Sequence, residues 1–171
     1  MKKAIFFDID GTLLDYMNGI VDITPKVKQA IHSLQEEGHY VFIATGRPYA
    51  FLSKSILDFG FDGFVLANGA HVIIKNKTIF SEYLDKSFVS NLVDELENLN
   101  IQYVLEGEYH SYMKECFKEF HDFYDTVGVS KELFKVNYSL DDIGIYKIEM
   151  MCPNDETVEK CLNIVQRNED Y

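Results

Sequence analysis

Two short, uninterrupted apolar runs, Ala4 to Phe7 and Tyr40 to Ala44, constrain this chain more than any other feature. Neither shows the alternation of a half-exposed strand, and both are too short for a buried helix, so each suits a strand covered on both faces. Between them lies one amphipathic helical pattern, with Thr24 as N-cap, Pro25 at the first helical position, Val27, Ala30, Ile31 and Leu34 at helical spacing, and Gly38 as the stop. After the second run, Thr45-Gly46-Arg47-Pro48 opens a further predicted helix that runs through Phe51, Leu52 and Ile56 to about Gly60. Phe64 to Leu66 then reads as a third short strand. Strand, helix, strand, helix, strand with short connections predicts an α/β fold built on a parallel sheet.

The pattern changes after His71. His71 to Ile74 and Thr78 to Phe80 flank Lys75-Asn76-Lys77 as a hairpin, and Phe88, Leu92, Leu96 and Leu99 mark an acidic amphipathic helix. Ile101 to Leu105 and Tyr109 to Met113, joined around Gly107, predict a second hairpin. A helix near 114 to 125, a strand at 145 to 151 and a helix at 154 to 167 complete an α+β module. Charge divides in the same place. Residues 1 to 80 carry 8 basic and 8 acidic side chains, and residues 81 to 171 carry 8 and 20, so the whole net charge of −12 sits in the second half. The expected organisation is therefore 1–80 followed by 81–171.

That acidic surface repels nucleic-acid phosphates and anionic lipid, and no stretch reaches the roughly 20 apolar residues of a membrane span. Neither nucleic acid nor membrane is expected as a partner. The start, Met1-Lys2-Lys3, leads into only four apolar residues before Asp8, too few for a secretory leader. The three cysteines, Cys116, Cys152 and Cys161, contain no C-x-x-C pair and suggest neither a disulfide framework nor a zinc knuckle. A cytoplasmic chain is expected. The five histidines show no ligand spacing, and G-x-S-x-G, P-loop and G-x-G-x-x-G motifs are absent.

The chemistry is concentrated in Phe7-Asp8-Ile9-Asp10-Gly11-Thr12-Leu13-Leu14. Two carboxylates stand two residues apart where a strand gives way to a Gly-containing turn, at the carboxyl edge where open α/β sheets bind ligands. A phosphate ester is an anion, so a carboxylate that attacks it needs a cation between them, and the departing alkoxide needs a proton. With Mg²⁺ in place, Asp8 could attack phosphorus and Asp10 could act as general acid, then activate water. D-x-D-G is also an ordinary Asx turn. Thr45-Gly46-Arg47, after the second run, offers a hydroxyl, a close backbone approach and the N–H groups of the predicted helix start as an anion site, with Thr45 the expected phosphate ligand. The alternative is a plain N-cap before a Pro-initiated helix.

D-I-D-G-T-L at Asp8 to Leu13, A-T-G-R-P at Ala44 to Pro48 and L-A-N-G-A at Leu66 to Ala70 together resemble the haloacid dehalogenase (HAD) superfamily, specifically its Cof-type phosphatases. The resemblance implies a HAD-like doubly wound parallel sheet, represented by its N-terminal half, followed by an α+β cap over 81–171. It implies that Asp8 is the nucleophile and Asp10 the acid/base, with the Asp8 carboxylate and the Asp10 main-chain carbonyl on Mg²⁺. Thr45 and Gly46 match the phosphate-binding segment, and Arg47 and Asn68 take substrate-side positions. The implied function is a metal-dependent phosphatase acting on a small phosphorylated metabolite such as a sugar phosphate. Sugar phosphomutase is a sister activity.

Members of the superfamily continue beyond the cap into a second core half that supplies a Lys and a G-D-x-x-N-D type segment, neither of which occurs in these 171 residues. Three expectations follow: a weak metal site, a bare apolar edge on the strand Ala4 to Phe7, and a chain that is a fragment or that dimerises through that edge. The competing reading is a non-catalytic module that binds phosphate or a protein. A response-regulator-like phospho-acceptor also uses a strand-end Asp, but T-G-R and the cap-like half speak against it.

Overall fold

The computed structural model describes residues 1–127 and 129–168, and its contacts divide the chain into two units between Glu82 and Tyr83. The last residues of the module expected over 81–171, residues 169–171, lie outside the described residues. No helix among the described residues is long and apolar enough to cross a membrane.

The first unit is a five-stranded sheet in the order β1 (Ala4–Phe7), β2 (Tyr40–Ala44), β3 (Gly63–Leu66), β4 (His71–Ile74), β5 (Lys77–Ser81). β1, β2 and β3 are parallel, and the β4–β5 hairpin adds two antiparallel strands. The hairpin turns at Lys75 (φ 48°) and Asn76 (φ 60°), two consecutive left-handed residues as a tight two-residue turn requires. Gly63 has no room for a side chain, because a Cβ there would collide with the Ile73 carbonyl oxygen of β4. The helix α1 (Pro25–Glu36) starts at Pro25 as predicted and ends at Gly38 (φ 84°), although the Thr24 side chain makes no capping hydrogen bond.

Ile31 of α1 and Ile56 of α2 (Lys54–Leu57) join Val41, Ile43, Phe64 and Leu66 in one buried cluster on a single face of the sheet. Each of those isoleucines contributes about 2 kcal/mol by burial. The opposite face differs from expectation. β1 is, as expected, an edge strand, paired among the described residues with β2 alone, but its residues alternate, with Ile5 and Phe7 half-buried and Ala4 and Phe6 exposed. Phe6, 55% exposed, stacks on Phe42 of β2 at 5.0 Å. An uninterrupted apolar run therefore marks a strand with apolar side chains on both faces, but not the covering of both.

The second unit carries the sheet β8 (Phe134–Lys135), β7 (Ser111–Tyr112), β6 (Tyr103–Glu106), β9 (Lys147–Met150). The β6–β7 hairpin and β9 fall where the sequence predicts them. The two-residue β8, parallel to β7, has no sequence signal. Helices α3 (Lys86–Asn98) and α5 (Asp155–Arg167) are capped by Asp85 and Asn154, whose side chains accept from the N–H groups of Phe88 and Thr157. Val93, Leu96, Cys161 and Ile164 from these helices pack with Tyr103 and Leu105 of β6. Alternation along β6 sends Val104 and Glu106 to the other face, where Glu149 of β9 accepts a hydrogen bond from Tyr124 of α4 (Lys118–Thr126) at 2.5 Å.

Candidate active site

Immediately after β1 the backbone winds into a tight loop. The Ile9 carbonyl accepts from the N–H groups of Thr12, Leu13 and Leu14 at 3.2, 2.9 and 2.9 Å, and Gly11, at φ 75°, donates to the Leu14 carbonyl at 2.8 Å. Burial of Ile9, Leu13 and Leu14 anchors this loop. Asp8 and Asp10, on either side of Ile9, are both left exposed. The Asp8 carboxylate has no ion-pair partner among the described residues.

Asp10 is held differently. Arg47, just past the end of β2, reaches it with two parallel hydrogen bonds, Nε to Oδ2 at 2.8 Å and Nη2 to Oδ1 at 2.6 Å. The remaining guanidinium nitrogen, Nη1, donates to the Phe51 carbonyl at 3.1 Å. Above the guanidinium lies Tyr16, its ring centroid 5.6 Å away. Tyr16 belongs to a small hairpin closed by reciprocal hydrogen bonds between Asp15 and Ile20. Burial weakens the Arg47 charge, but Asp10 and Tyr16 outweigh it and hold the guanidinium above its ordinary pKa. A fork of this kind fixes the plane of the Asp10 carboxylate as well as its position.

Thr45 is buried, its N–H donating to the Val65 carbonyl at 2.9 Å and its Oγ1 accepting from the Arg47 N–H at 3.2 Å. Against this segment lies the turn after β3, where the Ala67 N–H donates to the Arg47 carbonyl at 3.0 Å and the Asn68 N–H to the Thr45 carbonyl at 3.4 Å. Ala67 (φ 48°) and Asn68 (φ 56°) are left-handed without being glycine, a strained pair that the two cross-links hold in place. A Cβ on Gly46 would lie 2.8 Å from Asn68 Oδ1. Gly46 is thus the gap into which Asn68 fits.

The helix expected from Thr45 to about Gly60 does not form. In its place stand a 3₁₀ turn, Tyr49–Phe51, and the single-turn α2, separated by extended backbone at Leu52 and Ser53. Pro48 is itself extended (ψ 165°), which turns the Arg47 side chain toward Asp10 and lets it satisfy the Phe51 carbonyl that a helix would have used. The anion site at a helix N-terminus is accordingly absent at Thr45. What the structure brings together is Asp10, Thr45, Gly46, Arg47 and Asn68, with Asp8 at the end of β1 two residues before Asp10. Tyr16 and the Phe51 carbonyl were not foreseen. Nothing in their spacing marks them, since both act through the path of Arg47.

For a hard divalent cation, this corner offers the Asp8 carboxylate and the Asp10 main-chain carbonyl, since the Asp10 carboxylate is engaged by Arg47. No group of three or more His, Cys, Asp or Glu residues converges among the described residues. Two oxygens with no nitrogen or sulfur donor fit the chemistry of Mg²⁺, which keeps several waters and takes further oxygens from a substrate phosphate.

A family model for haloacid dehalogenase-like hydrolases matches residues 5–171. The chain is 38% identical over 97 residues to "Putative phosphatase YkrA" of Bacillus subtilis (strain 168), covering 56% of this chain and 36% of that protein. It is 26% identical over 147 residues to "Putative phosphatase YxeH" of the same organism, covering 86% and 47%. Among solved structures, a hypothetical protein from Geobacillus kaustophilus HTA426 superposes with a TM-score of 0.80 at 24% identity, over 97% of this chain and 63% of that one. The HAD subclass IIB sugar phosphatase BT4131 superposes with a TM-score of 0.75 at 22% identity, over 95% and 63%. At these identities the structural likeness is one of fold. The chain spans less than half the length of these two curated relatives and under two thirds of these solved chains. A family match running from β1 to the C-terminus, on a sheet whose first strand ends in the Asp8–Asp10 turn, means that this chain belongs to the haloacid dehalogenase-like hydrolase family.

Proposed function

We propose that the Asp8–Asp10 corner belongs to a Mg²⁺-dependent phosphatase that acts on a small phosphorylated metabolite through a phospho-aspartate. One observation carries this reading: an exposed carboxylate, Asp8, with no ion-pair partner among the described residues, stands two residues from a carboxylate whose position is fixed by a bidentate arginine. Asp8 and the Asp10 main-chain carbonyl would hold Mg²⁺, which when bound offsets the repulsion between the carboxylate and the phosphate. An Asp8 oxygen attacks phosphorus in line, and Asp10 gives its proton to the departing alkoxide. Asp10 then takes a proton from the water that opens the phospho-aspartate. For either transfer one of the two Arg47 bonds must open, while the other keeps Asp10 in register. Thr45, Gly46 and Asn68 receive the phosphate and the near side of the leaving group. A sugar phosphate is the favoured substrate class, since a sugar phosphatase is among the fold neighbours.

We assign residues 1–82 to the catalytic core and the second unit to a cap that recognises the leaving group, both working in the cytoplasm. The test is phosphate release from an aryl phosphate with Mg²⁺ and with a chelator. Release that the chelator abolishes supports the reading. No release in either condition makes this stretch a phosphate-binding module without turnover.

Arg47→Lys keeps the charge but loses the fork and the Nη1 hydrogen bond to the Phe51 carbonyl. Its expected effect on the same assay is a fall in kcat of about 10–100-fold, larger than the change in KM, because Asp10 is mispositioned rather than removed. A KM effect alone would place Arg47 on the substrate instead. The open edge of β1, with Phe6 exposed beside it, is proposed as a pairing edge for a second copy. Sedimentation velocity is expected to show a concentration-dependent dimer that Phe6→Lys weakens, and a monomer at all concentrations would overturn it.

A further inference from the structure

The Arg47 guanidinium is planar, and its N–H groups all point within that plane, Nε and Nη2 to Asp10 and Nη1 to the Phe51 carbonyl. The Asp10 side chain is 55% exposed, so packing does not hold it and the fork does. On the mechanism proposed above the fork is not always closed, because Asp10 gives a proton and later takes one, and at each transfer one arm opens. A single remaining bond to Asp10 does not stop the guanidinium from tilting out of the carboxylate plane. A contact on its face does. The Tyr16 ring lies over the guanidinium, its centroid 5.6 Å from Arg47 Cζ, and the attraction between a cation and a ring face acts across the plane, whichever in-plane bond is open. The chain holds that ring in place. Tyr16 follows the buried Leu13 and Leu14 and is itself packed, half-buried, against the core cluster. It opens the 3₁₀ turn Tyr16–Asn18, where Asp15 accepts from the Asn18 N–H at 3.1 Å and from the Asn18 side-chain amide at 2.7 Å, and Gly19 (φ 74°) donates to the Tyr16 carbonyl at 3.1 Å. Met17, the next residue, is 82% exposed. Of two adjacent apolar side chains, the turn sends one onto Arg47 and leaves the other in solvent.

We propose that Tyr16 is a positioning residue: its ring clamps the face of the Arg47 guanidinium, so that Asp10 keeps its orientation while one arm of the fork is open. The inference rests on the phosphatase reading for the step that the clamp serves, and on the geometry of this corner for the clamp itself. Tyr16 acts through Arg47 and contributes a ring face, not a hydroxyl, so phenylalanine can do the same work and an aliphatic side chain of similar bulk cannot. Its effect belongs to turnover. The clamp matters when a proton moves at Asp10, and it leaves the binding of substrate alone.

The test compares Tyr16→Leu, which keeps an apolar side chain against the core but has no ring face, with Tyr16→Phe, which keeps the ring. In the Mg²⁺-dependent assay with an aryl phosphate, Tyr16→Leu is expected to lower kcat by about 5–10-fold with KM unchanged, and Tyr16→Phe to recover most of that loss. A second readout needs no turnover. Exchange of the Arg47 Nε proton with water, followed in a proton–nitrogen correlation spectrum where the signal is identified by its loss in Arg47→Lys, is expected to be slow in the wild-type chain and in Tyr16→Phe, and several-fold faster in Tyr16→Leu. Unchanged exchange in Tyr16→Leu overturns the clamp. Faster exchange with kcat at the wild-type level overturns its role in the reaction, and a rise in KM alone, or a Tyr16→Phe variant as slow as Tyr16→Leu, does the same. If the wild-type chain releases no phosphate while exchange responds as expected, the phosphatase reading fails and the clamp on Arg47 stands. Tyr16→Met replaces Tyr16→Leu in both readouts if circular dichroism shows that the leucine variant folds poorly.

Discussion

Asp8→Asn is expected to lower Mg²⁺-dependent phosphate release by at least about three orders of magnitude, with the fold unchanged. The amide is nearly the shape of the carboxylate, and Asp8 is exposed with no ion pair among the described residues to lose, so the structural cost is small. The chemical cost is large. An amide oxygen is a poor nucleophile, it does not offset cation charge, and the covalent route through this residue closes. Asp10→Asn makes an informative contrast. On the proposed mechanism it leaves the nucleophile but removes the proton carrier, and it breaks the symmetry of the Arg47 fork, since an amide nitrogen cannot accept from the guanidinium. The nucleophile is expected to load and then hydrolyse slowly, so a burst of leaving group followed by a weak steady rate should appear with aryl phosphates, which depart without protonation. The same rate in Asp8→Asn as in the wild-type chain would remove Asp8 from the chemistry altogether. Circular dichroism of both variants keeps a folding defect separate from a catalytic one.

The main features of the first unit were legible because they depend on local pattern. Apolar runs of four and five residues gave β1 and β2, and Pro25 and Gly38 bracketed α1. The D-x-D-G turn could be recognised because its glycine is needed at φ 75°. What stayed hidden was set by tertiary contact. The residues from Tyr49 to Leu57 have helical periodicity, yet Arg47 takes the Phe51 carbonyl and the helix breaks into two short turns. Tyr16 lies over Arg47 because the Asp15–Ile20 hairpin folds back, a partnership at a separation that no spacing rule covers. Asn68 carried a sequence signal through L-A-N-G-A, but its left-handed backbone and its seat at Gly46 follow only from the contact between two loops. The charge cluster of the second unit was also invisible, because buried Glu106 and half-buried Lys147 and Glu149 look in sequence like the exposed positions of half-covered strands.

Those three charges carry the largest stability effect expected here. Glu106 is 1% exposed, and Lys147 Nζ lies 3.1 Å from its Oε2 and 3.0 Å from Glu149 Oε1. Burial, and then the neighbouring Glu149, raise the Glu106 carboxyl well above 4.5, while Lys147 and the Tyr124 hydroxyl more than offset burial at Glu149 and hold it below its ordinary value. One cation thus serves two carboxylates, of which Glu106 is the one whose burial favours the neutral form. Lys147→Met leaves the half-buried Glu149 carboxylate with the Tyr124 hydroxyl but without its cation, and is expected to destabilise the second unit by about 1–3 kcal/mol at pH 7. Glu106→Gln acts in the opposite direction. A group whose folded pKa is raised supplies its stability below the unfolded value, and that stability is lost as pH rises through the folded value. Between pH 5 and pH 8, where Glu149 is ionised folded or unfolded, the wild-type unit should therefore lose stability with rising pH. Glu106→Gln should not, which leaves it the more stable chain at the upper end. Urea unfolding of both chains across that range measures the difference directly. A Glu106→Gln curve that falls as steeply as the wild-type curve would mean that the proton is held elsewhere, and one that lies below it at every pH would mean that Glu106 is needed as an anion beside Lys147.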